Sequence, residues 1–343
     1  ARVNVAGRGP GILALDNEDG SWNVELDDGS EGDFALQALS ICKDQSAQTL
    51  QQAAATAPVP TGLRIVTDPA QPKPSGWTRF VCFSDTHGLH EEIPRAACWP
   101  ADVLLHAGDF TNTGELEQIA SLAEWLHAYP AEHKVVIAGN HDVTLHPEFY
   151  AEHWRRFHPA PLDCVRARAL LDEASCTYLQ DGLAEVRGYR IYGSPWQPSF
   201  CSWAFNLERG TDIWEKWQAI PQAVDVLVTH GPPHGRGDHT HNHRGHSGAR
   251  VGCQDLSRAI TQRAVSVSLA GHVHEGYGHS HDGVTLYVNA STCTHDYRPT
   301  NLPIAFDAPP PDELRAATAA AVQARDAKQQ HPRAPLGLSD MRE

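Results

Sequence analysis

The sequence lacks any apolar run long enough to cross a bilayer, and it has little positive charge. Its 343 residues contain 27 lysines and arginines against 42 aspartates and glutamates, for a formal net charge of −15. Such an acidic chain is poorly suited to grip a long nucleic acid through its phosphates. Without a bilayer-length apolar run or a hydrophobic leader, we expect a cytoplasmic protein with no membrane partner. The first residue is not methionine, so removal of a leader stays open.

Closely spaced cysteine pairs are also lacking. The eight cysteines are scattered along the chain and none forms a C-x-x-C pair. In a long chain without a secretion signal, this usage predicts reduced thiols, as in the cytosol. A secreted protein with several disulfides is the alternative that the cysteines leave open.

Histidine, in contrast, is abundant. The chain has 21 histidines, more than an ordinary domain needs, within a composition of 41% hydrophobic and 20% charged residues. That composition is typical of a globular protein, and the length allows a substantial core without disulfides.

Four segments differ in their residue pattern. Residues 1–45 alternate short apolar runs with turn signals such as DNEDG, which resembles a small all-β barrel of the SH3 or Tudor kind. This module is either a ligand reader or a stabilising appendage, and its partner is unassigned. Residues 46–77, rich in Ala, Pro, Gln and Thr, are interpreted as a linker. Residues 78–310 form the main domain, and 311–343 a helix-prone extension with a tail.

The main domain repeats one pattern. Apolar runs end in Asp, Asn or His beside a glycine, as in TRFVCFSD, ADVLLHAGD, HKVVIAGNHD, AVDVLVTHG and AVSVSLAGHVH. Helix-like stretches such as ELEQIASLAEWLHAY lie between them. Strands that alternate with helices predict an α/β fold whose site lies along one edge of the sheet. In the last run, a strand ending in His-x-His would point His272 and His274 to the same side.

The polar residues at these strand ends are all oxygen or nitrogen donors. Carboxylate, imidazole and amide ligands without thiols suit divalent Mn, Fe, Zn, Co or Mg, with manganese first. Seven donors are too many for one open ion, but two ions that share a carboxylate would use them all. The donors are Asp85, His87, Asp109, Asn140, His230, His272 and His274.

These motifs, in this order, resemble the calcineurin-like metallophosphoesterase superfamily. They are D-x-H in FSDTHG, G-D in HAGDFT, G-N-H-D in IAGNHD, a histidine before glycine in THGPP, and G-H-x-H in GHVHEGYG. The nearer likeness is to the metallophosphoesterase-domain-containing subfamily, related to class III cyclic nucleotide phosphodiesterases. The resemblance spans residues 79–307 and implies a four-layer α/β/β/α sandwich with two mixed sheets. Asn112 departs from the wider superfamily, in which many members have Asp at that position.

The resemblance also implies residue roles. His141 would contact the phosphate and protonate the leaving oxygen, Asp142 would orient His141 through a hydrogen bond, and Asp109 would be the shared catalytic ligand. The two implied metal sets are Asp85, His87, Asp109 and His274 for one ion, and Asp109, Asn140, His230 and His272 for the other.

Two further stretches flank these motifs. In GSPWQPSFCSWAFNLERG, we expect Trp203 in the core and Phe205 and Asn206 beside the substrate, with Asn140 and His141. The histidine-rich stretch PPHGRGDHTHNHRGH is interpreted either as a lid or metal-capture tract or as a solvated loop.

The resemblance implies a binuclear phosphodiesterase. Its substrates would be cyclic nucleotides or related small phosphodiesters, cleaved by in-line attack of a hydroxide that bridges the metals. The small net positive charge expected at such a centre suits a monoanionic diester. A phosphomonoesterase or protein phosphatase on the same core, and a binding protein that uses the N-terminal barrel, are the alternatives.

Overall fold

The computed structural model describes the backbone of residues 60–94, 97–241 and 247–330 and of five strands nearer the N-terminus. Side chains are described for residues 61–94, 97–240 and 248–328. The five strands are β1 (Arg2–Val5), β2 (Gly9–Asp16), β3 (Ser21–Leu26), β4 (Glu31–Ala35) and β5 (Leu39–Ile41). They pair antiparallel in the order β4-β3-β2-β1-β5. The predicted barrel depends on turns and side chains outside the described residues, so it stays a prediction.

Two six-stranded sheets carry the main domain, and both mix parallel and antiparallel pairs. The first contains β6 (Arg64–Val66), β7 (Thr78–Phe83), β8 (Ala101–His106), β9 (Ala131–Val136), β10 (Thr177–Tyr178) and β21 (Ile304–Ala308). Strands β7 to β10 are parallel, while β21 and β6 extend the sheet antiparallel.

The second sheet has a parallel centre and two antiparallel edges. It contains β11 (Gly182–Val186), β12 (Tyr189–Ser194), β15 (Val226–Thr229), β18 (Val267–Ala270), β19 (Gly278–His281) and β20 (Leu286–Asn289). Its order is β11-β12-β15-β18-β20-β19. Two short pairs complete the strands: β13 (Gln197–Pro198) with β14 (Asn206–Leu207), and β16 (His239–His241) with β17 (Ser247–Arg250).

Helices follow the strands, as the alternating pattern predicts. They are α1 (Leu116–Ala128), α2 (Pro147–His153), α3 (Cys164–Glu173), α4 (Thr211–Gln218), α5 (Gln254–Arg263) and α6 (Pro311–Gln330). In α1, Ile119, Leu122 and Leu126 recur at helical spacing and are fully buried. Within the described ranges, no helix combines the length and the apolar character that a bilayer span requires.

Two apolar clusters hold the sheets and helices together in layers. Because side chains alternate along a strand, Phe80 and Cys82 of β7 face one apolar cluster and Val81 and Phe83 another. The cluster that contains Phe80 draws on the facing strands of both sheets, so the sheets pack against each other. The other cluster unites the outer strand faces with the helices. The predicted α/β fold with two mixed sheets is therefore confirmed.

Segments on both sides of the predicted main domain also pack into it. Strand β6 lies within the range 46–77 that the sequence assigned to a linker, yet it pairs with β21 and Val66 is buried. Helix α6 occupies most of the predicted C-terminal extension, where Leu314 is buried and Arg315 bonds Asp225 at 2.7 Å. The predicted tail beyond Gln330 lies outside the described residues.

Candidate metal centre

The polar strand ends converge on one edge of the sandwich. Strands β7, β8 and β9 of one sheet and β15 and β18 of the other are each followed within a few residues by candidate ligands. Cross-sheet hydrogen bonds hold these loops together, since the backbone N–H of His272 donates to both carboxylate oxygens of Asp85 at 3.0 Å. Donors from distant parts of the chain therefore meet in one place.

Four of the candidate ligands have a left-handed backbone that non-glycine residues rarely adopt. The φ angles are 52° at Asp85, 44° at His87, 52° at Asp109 and 66° at His272. Each such residue costs about 1–3 kcal/mol and persists only where the surrounding structure enforces it. This geometry turns the chain sharply after the strand and directs the side chains into the cluster.

Two glycines make room for the carboxylates. A Cβ on Gly139 would lie 2.2 Å from Asp109 Oδ1, and a Cβ on Gly271 would lie 2.1 Å from Asp85 Oδ2. Both approaches are far shorter than real side chains allow. The glycines of G-N-H-D and G-H-x-H therefore serve close packing against the aspartates.

The first group of donors is formed by Asp85, His87 and His274. His274 Nε2 lies 3.4 Å from Asp85 Oδ1 and 3.3 Å from His87 Nε2. The other ring nitrogen of His274, Nδ1, donates to the carbonyl of Thr294 at 2.9 Å. That bond fixes the ring so that Nε2 points at the group, the arrangement typical of metal-bound histidine.

The second group contains Asp109, His230 and His272. His230 Nε2 lies 3.2 Å from Asp109 Oδ2 and 3.1 Å from Asn140 Oδ1, while its Nδ1 donates to the carbonyl of Ala107 at 2.8 Å. Asn140 therefore belongs to this group. His272 and His274 enter different groups, as the resemblance implied.

Asp109 stands between the groups. It joins His230 and His272 on one side and a third set, with His87 and His141, on the other. Its Oδ2 faces His230, and its Oδ1 accepts the backbone N–H of His141 at 2.8 Å. One carboxylate is thus within reach of both donor groups.

Burial and mutual charge set the pKa values of the cluster. Burial opposes charge on His230 and His274, but Asp109 and Asp85 outweigh it and raise both pKa values to about 9. Burial also disfavours the charged carboxylates, yet the same histidines hold the pKa of Asp85 and Asp109 well below the usual range. Burial dominates at His272 and lowers its pKa to about 3.

The donors fit divalent cations. Burial lowers the pKa of His87 to about 4, and its Nδ1 is buried without a hydrogen-bond partner in the described residues. Neutral imidazoles, ionised carboxylates and an amide oxygen are the forms that bind metal. Two cations that share Asp109 would use these donors.

Comparison with known families agrees with this geometry. The model of the calcineurin-like phosphoesterase family matches residues 78–276. The chain belongs to this family. Human metallophosphoesterase domain-containing protein 1 is 46% identical over 249 residues, which cover 70% of this chain and 74% of the human protein. The Caenorhabditis elegans UPF0046 protein T07D4.2 is 37% identical, over 67% of this chain and 60% of that protein.

Among solved structures, the similarity is more distant. Protein TT1561 of Thermus thermophilus aligns with a TM-score of 0.40 and 14% sequence identity, over 63% of this chain and 89% of that chain.

All seven candidate ligands lie in or beside the two groups, but one local expectation is wrong. Strand β18 ends at Ala270, so His272 and His274 are not strand residues. His272 has a left-handed backbone, and His274 begins a 3-10 helix, His274–Gly276. The strand alternation therefore does not decide where the two rings point.

The role expected for Asp142 also needs correction. The Nδ1 of His141 donates to the backbone carbonyl of Asn112 at 2.7 Å, not to Asp142. The buried carboxylate of Asp142 instead accepts the N–H groups of Asp109, Gly139 and Thr111 at 2.8–2.9 Å. Asp142 thus holds together the loops that carry two other motifs.

The structure places two aromatic residues of the flanking loop differently from the prediction. Phe205 was expected beside the substrate, but it is fully buried and stacks on His146 at 4.6 Å between ring centroids. Trp203 was expected in the core, and it packs against the apolar cluster, but it is only partly buried and its indole stacks on His141. Asn206 donates to the carbonyl of Phe200 at 2.7 Å, so it shapes the loop.

Sequence reasoning missed Tyr297. The residue is 48% exposed, and its ring lies 4.7 Å from His87 and 5.4 Å from His274 between centroids. Near the second donor group, Phe200 is 61% exposed, and its ring centroid lies 6.1 Å from that of His272. The available signal was the position of Tyr297 shortly after β20, at the same sheet edge as the ligands.

The histidine-rich stretch does not extend the centre within the described residues. Among those residues, the donor groups that could hold a metal involve none of its histidines. His243, His246 and the side chain of His241 lie outside the described residues, so both interpretations of this stretch stay open.

Proposed function

We propose that the protein is a binuclear metal-dependent phosphodiesterase that acts on small phosphodiesters, with cyclic nucleotides as the first substrate class. The observation that carries the proposal is the position of Asp109, which reaches both donor groups. A carboxylate shared between two cations is the arrangement that enzymes use to hold both oxygens of an in-line phosphoryl displacement.

The bound ions would supply Lewis-acid charge and acidify a water molecule. Asp85, His87 and His274 would hold one ion, and Asn140, His230 and His272 the other. The protein then has to position the substrate and move one proton. His141 is suited to that task because its Nδ1 hydrogen is engaged by Asn112, which leaves Nε2 free to face the leaving oxygen.

Charge favours a diester over a monoester. The ion-pair partners of Asp85 and Asp109 in the described residues are histidines rather than arginine or lysine. The positive charge that faces the substrate would therefore come mainly from the metals, which the two carboxylates partly neutralise. A small net positive charge suits a phosphate with one negative charge better than one with two.

Oxygen and nitrogen donors without thiolate support manganese as the metal, with iron, zinc, cobalt or magnesium as alternatives. We place the protein in the cytoplasm, because its cysteines are scattered without C-x-x-C pairs, as expected for thiols in a reducing compartment. The proposed partner is a small phosphodiester rather than a long nucleic acid or a membrane, and the partner of the N-terminal segment is unassigned.

The test is hydrolysis by the full chain after reconstitution with Mn²⁺ and elemental analysis. We expect faster cleavage of bis-p-nitrophenyl phosphate than of p-nitrophenyl phosphate, and turnover of 3′,5′ or 2′,3′ cyclic nucleotides. Asp109→Asn should lower kcat by about 100-fold or more, since it removes the shared charge. His127→Ala, which removes an exposed helix histidine, is the matched control. A fully metallated protein that cleaves no diester overturns the proposal.

A further inference from the structure

The indole of Trp203 lies nearly flat against the imidazole of His141. The ring centroids are 4.2 Å apart and the planes are inclined by 27°. On another side, His87 meets the His141 ring edge-on at 4.8 Å. His141 is only partly buried, so its orientation depends on these ring contacts rather than on burial in the core.

A hydrogen bond completes the constraint on His141. The carbonyl of Asn112 takes the Nδ1 hydrogen at 2.7 Å and sets the direction of the ring within its plane. A hydrogen bond of this kind still allows the ring to tilt about it. The stacked indole opposes that tilt, because it covers one face of the imidazole.

Trp203 is itself held by a dedicated contact. Arg156 donates to the carbonyls of Ser202 at 2.7 Å and Cys201 at 3.3 Å, directly before Trp203. Cys201 and Ser202 have left-handed φ angles of 51° and 52°, an unfavourable backbone that needs such support. Phe157 packs on the indole at 5.0 Å between centroids. The loop is thus built to present this ring to His141.

We propose that Trp203 is a positioning residue for proton transfer by His141, and that Arg156 acts in the same way through the loop. The inference rests on the proposed function, since it concerns the protonation of a leaving oxygen. Loss of the indole would leave the metals in place but let the His141 ring tilt. Substrates whose leaving group needs a proton would then suffer most.

The experiment compares two diesters with the Mn²⁺-loaded full chain. Diphenyl phosphate releases phenol, whose pKa is about 10 as for tyrosine, whereas bis-p-nitrophenyl phosphate releases a much more acidic phenol. For Trp203→Ala we expect kcat to fall roughly tenfold on diphenyl phosphate and far less on bis-p-nitrophenyl phosphate, with little change in KM. Trp203→Phe, which keeps a flat ring, should restore most of the loss.

Two matched controls separate positioning from general damage. Trp214→Ala removes an equally large ring, which contacts Arg258 on another part of the surface, and should leave the ratio of the two rates unchanged. Arg156→Ala should reproduce the Trp203→Ala pattern more weakly, whereas Arg155→Ala, which removes the guanidinium over Trp154, should not. Bound metal per chain, from elemental analysis, should stay at the wild-type value in all variants.

The outcomes are distinguishable from failure of the proposed function. If the wild type cleaves neither diester, the proposed function itself is wrong. If the wild type is active and Trp203→Ala loses rate equally on both diesters, or changes KM alone, Trp203 does not position His141. Either of these last two results overturns the inference.

Discussion

The Nε2 atoms of His87 and His274 face each other at 3.3 Å. The Nδ1 of His274 is already bonded to the carbonyl of Thr294, so only a proton on one Nε2, or a cation between them, can make this approach favourable. In protein stripped of metal, a proton would therefore have to lie where a metal would otherwise bind.

We predict that metal binding releases protons from His230 and His274. Their pKa values of about 9 mean that both rings are protonated in the metal-free protein at neutral pH. Metal requires the neutral ring, so apparent affinity should rise with pH up to about 9 and then level off. Calorimetry in two buffers of different ionisation enthalpy measures the released protons. Binding heats that do not depend on the buffer would contradict this account.

The stability of the metal-free protein should peak near pH 6.5. The raised pKa of His230 and His274 gives stability that is complete below 6.5 and is lost as pH rises towards 9. Burial lowers the pKa of His87 to about 4 and of His106 and His272 to about 3, which gives stability that is lost as pH falls below 6.5.

Thermal unfolding in excess chelator, followed from pH 4 to pH 10, measures this profile. With saturating Mn²⁺ the decline above pH 6.5 should disappear, because cations replace the protons. A Tm of the metal-free protein that rises steadily up to pH 9 would show that His230 and His274, the two histidines with raised pKa values, are not paired with the aspartates.

Gly139→Ala should destroy metal binding. The added Cβ would lie 2.2 Å from Asp109 Oδ1, so the shared carboxylate must move. Gly182→Ala is the matched control, because its Cβ would meet its nearest neighbour at 3.7 Å, an ordinary contact, and Gly182 has no left-handed φ. We expect elemental analysis to show normal metal content in Gly182→Ala and a loss in Gly139→Ala. Full metal in both would refute the close packing.

Asp142→Asn should destabilise the fold although it changes only one atom. Each carboxylate oxygen of Asp142 accepts hydrogens from donors, including the N–H groups of Asp109, Gly139 and Thr111. An amide NH₂ at either position would face a donor, at a cost of about 1–3 kcal/mol. Chemical denaturation of the metal-free protein, at a pH well above the Asp142 pKa of about 7 so that the carboxyl is ionised, measures the change. Unaltered stability would mean that the amide finds another acceptor.

The pKa of the Asp142 carboxyl should change when metal binds to Asp109. Burial and the Asp109 charge raise the pKa of Asp142 to about 7. Metal on Asp109 would offset that charge, so the pKa of Asp142 should fall on metal binding. Carbon-detected NMR titration with and without Mg²⁺, a diamagnetic probe, measures the shift. An Asp142 pKa that is equal in both states would contradict the proximity argument.

The convergence of the candidate ligands could be predicted from the sequence because their signal is local and repeated. His230 follows the apolar run of β15 directly and precedes a glycine, and Asp109 comes three residues after β8, directly after Gly108. The carboxyl ends of parallel strands meet at one edge, so such residues are expected to converge.

The aromatic residues of the flanking loop could not be assigned in this way. Trp203 and Phe205 are two residues apart, and in a regular strand they would share a face. Left-handed φ angles at Cys201, Ser202 and Phe205 break that regularity. These backbone angles decide which ring enters the core, and the residue types are equally compatible with both outcomes.

The amino-acid sequence alone determined the kind of chemistry: oxygen and nitrogen donors at the ends of buried strands, in an α/β arrangement. Only the tertiary structure decided which donors share a group, which carbonyl holds His141, and which aromatic ring covers it. The reason is distance along the chain, since the contact of Asp85 with His272 joins residues 187 positions apart. Such contacts depend on how two sheets pack, and no local pattern records that packing.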